Sequence, residues 1–350
     1  MQTALPASSD VDALPQPYLL FLGDTVEPGY AKTAFGLRDW ARDRCVGEFA
    51  CDTATVSAGL PFLSPMQARQ AGARAMVIGV ANPGGRIPPA WIPLLVQALE
   101  AGLDLIGGMH MRLSGIEPLR TAARAQGRRL IDVREPPADI PVATGAKRSG
   151  HRLLTIGTDC ALGKKYTALA LARAFRARGI DADFRATGQT GILIAGAGIP
   201  MDAVVADFAA GAAEMLSPNA APSHWDVIEG QGSLSHPAYA GVSLALLHGS
   251  QPDVFVVCHE HGRARVLGYP HYLLPSIEET IELALRLGAR TNPAIRCGGV
   301  SLNTGMLDAD AAREVIDALS DRLGMPVADP VRGGDAFTAL VAACLARQAG

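Results

Sequence analysis

Two parallel-sheet α/β domains in tandem are what this sequence predicts: a Rossmann-like domain followed by a P-loop NTPase-like domain. Three observations carry that expectation. Short apolar runs alternate with helical stretches in both halves of the chain, the grammar of βαβ units. A segment without any apolar period, EPPADIPVATGAKRSG at 135–150, interrupts the alternation midway. Directly after it, an apolar run meets a glycine-bounded turn that ends in Gly-Lys and opens a helix.

The elements follow in order. With 350 residues and 49% apolar content, the chain can bury two cores. Residues 1–16, rich in Ala, Pro and Ser, are expected to be a flexible N-terminus. The first domain is placed at 17–134. Its buried strands are expected at 18–23, 75–80, 103–107 and 129–133, and its helices near 64–71, 91–101 and 117–126. Residues 135–150, with three prolines, form the linker. The second domain, 151–350, restarts with a strand at 152–156 and a helix at 164–178, which Gly179 closes. Further strands are expected at 183–187, 226–228, 253–258, 298–302 and 326–328. Helices are expected at 276–287, 307–323 and 336–348, the first opened by the capping box of Ser276 and Glu279.

Composition excludes several classes. The net charge is −3 and no basic block occurs, so a nucleic-acid backbone has no concentrated positive face to meet. No stretch approaches the roughly 20 apolar residues of a membrane span. The N-terminus has neither the basic start nor the apolar core of a secretory signal. The six cysteines (Cys45, Cys51, Cys160, Cys258, Cys297, Cys344) form no CxxC pair, which argues against a disulfide framework or structural zinc. A cytoplasmic protein with reduced thiols is expected.

The strongest chemical signal is GTDCALGKKYT at 157–167. A strand, a short turn and a helix start point successive N–H groups and the positive helix end into one concavity. Gly157, Thr158, Asp159, Cys160, Gly163, Lys164, Lys165, Tyr166 and Thr167 are therefore the expected ligand-holding residues. The ordinary motif is GxxxxGK[ST], and this loop departs from it twice. Thr158 stands at the first glycine, and Lys165 stands where a magnesium-binding hydroxyl belongs. A loop with a second cation there is suited to holding phosphates and not to hydrolysing them.

The run GTDCALGKKYT resembles the P-loop of a bacterial family long called a domain of unknown function, whose members are associated with D-glutamate N-acetyltransferase activity (the DgcN type). TGQTG at 187–191, EGQGSLSHPAY at 229–239 and SLNT at 301–304 extend the resemblance over nearly the whole chain. The loop spacing and the EGQG turn also resemble dethiobiotin synthetase, although that enzyme has Thr where this chain has Lys165. The DgcN resemblance implies acetyl transfer from acetyl-CoA to the amino group of D-glutamate; Lys165 adds the expectation that no metal is required, and a homo-oligomer is expected. The residues alone reach a phosphate-bearing ligand in a cytosolic α/β enzyme. They leave open an ATP-dependent ligase or kinase, and a non-catalytic nucleotide or CoA sensor.

Other clusters offer candidates for the chemistry. Acetyl transfer to an amine needs a proton acceptor and donors for the developing oxyanion. Glu229 or His236, joined by a Gly-rich turn, is the candidate base. Asp159 is a third candidate, able to orient Lys164, hold a metal or cap the helix. Gln189 and Thr190 are either donors beside the loop or parts of a tight turn. Arg263 or Arg265, after His259 and His261, and the loop residues Arg86 and Arg112 are candidates for a substrate carboxylate. Cys160 lacks a histidine partner near it in sequence and reads as a small residue filling the turn.

Overall fold

The computed structural model describes residues 14–346, so the expected flexible N-terminus lies almost wholly outside the described residues, as does the far end of the last helix. Packing divides the described chain into two compact units: 14–137 together with 188–203, and 138–187 together with 204–346.

The first unit runs β1 (Tyr18–Phe21), α1 (Lys32–Trp40), β2 (Cys45–Phe49), α2 (Pro65–Gln70), β3 (Ala75–Ile78), α3 (Ile92–Glu100), β4 (Asp104–Gly107), α4 (Glu117–Gln126) and β5 (Leu130–Asp132). The strands pair in the order β2-β1-β3-β4-β5, every pair parallel. The order is a doubly wound one, reversing direction between β1 and β3. Leu19, Phe21, Met76, Ile78, Leu95, Leu99 and Leu105 form the core, with Trp91 set edge-on to Phe21 at 5.4 Å. Alternation in the sequence locates four of these strands but misses β2. Its CVGEF run is broken by Glu48, a buried carboxylate that accepts N–H bonds from Ala58 (2.7 Å) and Leu60 (3.3 Å) and a hydroxyl bond from Ser57 (2.6 Å).

The second unit begins with β6 (His151–Gly157), α5 (Lys164–Ala177) and β7 (Ala182–Arg185). The chain then makes α6 (Gln189–Ala195), which packs on α1 in the first unit, before returning. There follow α7 (Ala209–Leu216), β8 (Trp225–Ile228), α8 (Ala240–Ser250), β9 (Val254–Glu260), β10 (Arg265–Val266) and β11 (Tyr269–Leu273). The chain closes with α9 (Ile277–Gly288), β12 (Arg296–Asn303), α10 (Ala309–Leu323), β13 (Val327–Ala328) and α11 (Gly334–Leu345). The six-stranded sheet is parallel in the order β13-β12-β9-β6-β8-β7, and β10 and β11 form a separate antiparallel hairpin. The capping box of α9 is present in both halves, Ser276 Oγ accepting from Glu279 N–H and Glu279 Oε2 from Ser276 N–H.

β6 lies between β8 and β9, so its carboxyl end opens at the middle of the sheet, where ligands of such folds bind. The opposite end is closed by a buried polar network. Arg152, 1% exposed, donates to Ser217 Oγ and to the carbonyls of Arg148, Ser149, Gly150 and Pro218. Asp226 accepts from Arg185 (2.6 Å) and Ser217 (2.6 Å). No helix among the described residues is long and apolar enough to cross a membrane.

Candidate functional site

The loop between β6 and α5 is built around a buried lysine. Lys164 donates from Nζ to the Asp159 carbonyl at 2.6 Å. Two glycines make room for it. A Cβ on Gly157 would stand 2.9 Å from Lys164 Nζ. One on Gly230, at the end of β8, would stand 1.7 Å from the Thr155 carbonyl and 3.2 Å from Lys164 Cδ. Ala161 takes a left-handed conformation (φ 55°) and so does Gly163 (φ 107°), reversals that turn backbone N–H groups into a concavity. Burial pushes the Lys164 ammonium below its ordinary pKa, and the carboxylates of Asp159 and Glu229 oppose that shift.

The loop residues read from the sequence divide by direction. Thr158 faces β9, its hydroxyl 3.0 Å from His259 Nδ1. Thr167 is also turned inward, donating to the Gly163 carbonyl (3.1 Å) and pairing with Ser301 Oγ at 2.7 Å. Lys165 holds its ammonium 5.2 Å over the ring of Tyr166. Cys160 donates its N–H to Asp159 Oδ1 at 2.6 Å.

Asp159 fastens the loop to a hairpin that sequence reading missed. Its carboxylate is fully buried and accepts from Cys160 N–H, Leu267 N–H (2.8 Å) and Arg263 Nη1 (3.2 Å). Arg263 also donates to the Cys160 carbonyl at 2.8 Å and pairs with Glu260. That guanidinium, expected to take a substrate carboxylate, holds the loop through Nη1. The signal for β10 and β11 was present as short apolar runs around Gly268, but the span is too short to outweigh its charged flanks.

Glu229 and His236 stand with the loop. Glu229 is buried at the end of β8, with Oε2 accepting Thr187 N–H at 3.0 Å and its carbonyl accepting the Thr187 hydroxyl at 2.8 Å. His236 Nδ1 accepts N–H bonds from Ala238 (3.0 Å) and Tyr239 (3.2 Å), and Nε2 lies 3.7 Å from Asp159 Oδ1. Tyr239 stacks on the imidazole at 4.5 Å and Tyr269 meets it edge-on at 5.2 Å. Burial lowers the His236 pKa, Asp159 raises it and Lys164 lowers it, for a net depression. Ligand atoms of Asp159, Cys160 and His236 lie within 4.8 Å of one another. The two N–H groups on Nδ1 nevertheless leave the ring's proton on Nε2, which is the wrong tautomer for coordinating a metal there.

Gln189 and Thr190 open α6 in the first unit. Thr190 Oγ1 is 2.9 Å from Thr33 Oγ1, and Gln189 packs against Gly108. Arg86 is exposed in the loop after β3, and Arg112 pairs at 3.4 Å with Glu135. His259 serves Thr158, and among the described residues neither it nor His261 joins a cluster of three metal-ligating side chains.

Comparison with known proteins now settles the family. The family described as "Domain of unknown function (DUF1611_C) P-loop domain" matches residues 141–340, and its companion "Domain of unknown function (DUF1611_N) Rossmann-like domain" matches 43–136. The chain belongs to the DUF1611 family. A crystal structure of a DUF1611 family protein from Anabaena variabilis superposes with a TM-score of 0.85 at 34% identity, covering 94% of this chain and 98% of that one. Two curated relatives are named D-glutamate N-acetyltransferase. The protein from a Pseudoalteromonas species is 46% identical, and that from Tritonibacter scottomollicae 48%. Each alignment covers 91% of this chain and 96% of the relative.

Proposed function

We propose that this DUF1611 chain is an N-acetyltransferase that moves an acetyl group from acetyl-CoA to the amino group of D-glutamate. N-acetyl transfer to D-glutamate is the activity that names both curated relatives, which match over 91% of the chain. The observation that carries the donor is the design of the loop. It offers N–H groups and a buried lysine. The hydroxyl of Thr167, however, is turned into the sheet, and Lys165 occupies the position where P-loop hydrolases place their magnesium ligand. CoA presents phosphates that need holding and not breaking.

In the reaction the amine nitrogen bonds to the thioester carbonyl carbon, the C–S bond breaks, and one amine proton ends on the departing thiol. Glu229 is the proposed proton acceptor. Asp159 accepts from three donors of the loop and hairpin, His236 turns an N–H outward from Nε2, and Glu229 stands at the end of β8 with Oε2 accepting Thr187 N–H. Glu229→Gln is expected to lower kcat by roughly 10²–10⁴-fold with little change in CoA affinity.

The test is thiol release and product mass with acetyl-CoA and each glutamate enantiomer, run beside a thermal-shift series of CoA, acetyl-CoA, ATP and ATP with Mg²⁺. Acetyl transfer to the D-enantiomer and stabilisation by CoA species without Mg²⁺ are expected. A shift with magnesium-ATP alone, and no thiol release, would replace this reading by that of a ligase.

A further inference from the structure

The His236 imidazole carries a donor that the fold leaves unmatched. Its side chain is 1% exposed, clasped by the face of Tyr239 and the edge of Tyr269. Because Nδ1 accepts two backbone N–H groups, the neutral ring has its proton on Nε2. Among the described residues Nε2 has no hydrogen-bond partner. Asp159 Oδ1, at 3.7 Å, is beyond hydrogen-bonding reach and already accepts from Cys160. An unpaired buried donor is costly, and nothing in the packing of this ring relieves it. Yet two N–H groups and two tyrosines hold the ring in that orientation, beside the loop that contains Lys164.

We propose that His236 is a hydrogen-bond donor to an oxygen of the bound ligand, acting from Nε2–H, and not a proton acceptor. A second proton would have to enter at Nδ1, displacing the N–H groups of Ala238 and Tyr239. The titratable groups facing the ring are Asp159, itself paired with Arg263, Lys164 and the Cys160 thiol, with the phenols of Tyr239 and Tyr269 alongside. Burial lowers the ring's pKa, and Lys164 adds to that against the pull of Asp159. The acceptor is either the acyl carbonyl oxygen as it becomes an oxyanion, or a phosphate oxygen of the acyl carrier. The first of these rests on the acetyltransferase reading, the second on the phosphate loop alone.

The test joins spectroscopy to rescue. Imidazole ¹⁵N spectra of the full chain, with the His236 signals assigned by their loss in His236→Gln, are expected to show an Nε2–H tautomer that does not titrate between about pH 6 and 8. A proton on Nδ1, or titration in that range, overturns the proposal. Kinetically, His236→Ala is expected to lose about 10²–10³-fold in kcat, as other oxyanion donors do. His236→Gln, which keeps an amide N–H, should recover at least about tenfold of that and retain the acidic limb of the pH–rate profile. Equal inactivity of Gln and Ala with the acidic limb gone would make His236 a base, and wild-type rates in both would deny it any role. CoA titration separates the two oxygens. A fall in kcat at unchanged Kd identifies the carbonyl, whereas a raised Kd in Ala that Gln restores identifies a phosphate. Should D-glutamate prove not to be the acceptor, the spectra and the CoA titration still decide the matter.

Discussion

Burial strips the Lys164 ammonium of water and presses its pKa downward, so the charge stands ready to repay a phosphate oxygen for the solvation that both have lost. Lys164→Ala is expected to weaken CoA binding about 10- to 150-fold, the equivalent of the 1.5–3 kcal/mol of a hydrogen bond to a charged group. Isothermal titration on a variant with unchanged circular dichroism would check it. A second residue-scale expectation concerns His224, at the closed end of the sheet. Burial lowers its pKa, but hydrogen bonds to Asp181 (2.9 Å) and Asp226 (3.1 Å) outweigh that and leave it raised. A raised histidine contributes stability that is fully present below its unfolded pKa near 6.5 and is lost as pH climbs through the folded value. The Tm gap between wild type and His224→Asn should therefore be widest in mildly acidic buffer and narrow as pH rises above neutrality. A gap that widened with pH would mean that the ring is held neutral.

At the scale of elements, the P-loop does not hold its shape alone. The segment that leaves β9, through Arg263 and Leu267, converges on the Asp159 carboxylate and makes the loop and the β10–β11 hairpin one mechanical piece. Arg263→Ala removes the charged clamp and leaves Asp159 with two N–H partners. About 2 kcal/mol of local stability should be lost. Faster amide exchange is expected at 159–163 and 261–273, along with weaker CoA binding, while the strands of the sheet stay protected. Unchanged exchange in the hairpin would show that Leu267 and the tyrosines suffice to anchor it. Gly230→Ala probes the other wall. Its Cβ would strike the Thr155 carbonyl, so the turn after β8 must shift and carry Glu229 with it. Loss of turnover exceeding the loss of Tm is the expected signature.

On the scale of the whole molecule, the chain leaves the P-loop unit after Thr187, lays α6 against α1, and returns at 204. Ile192, Leu193 and Ile194 are buried in that excursion. A fragment beginning at 138 would expose them and should aggregate or be nicked between 188 and 203. Measuring its solubility beside a version with that stretch replaced by a short Gly/Ser linker tests the point. Much of this architecture could be read from residues alone. The parallel strands other than β2 declare themselves as short apolar runs, the phosphate loop through Gly163-Lys164 after a strand, and the α9 start through its capping box, because each depends on neighbours a few residues away. Residues read in order thus reach the α/β class, the loop and the family. Which way each group points emerges only when the chain is packed. Arg263 reaches Asp159 and Thr190 pairs with Thr33 across more than a hundred residues, and the Nδ1 contacts of His236 depend on the rotation of a single ring. Local pattern carries periodicity and capping. It carries nothing about which distant donor reaches a carboxylate first.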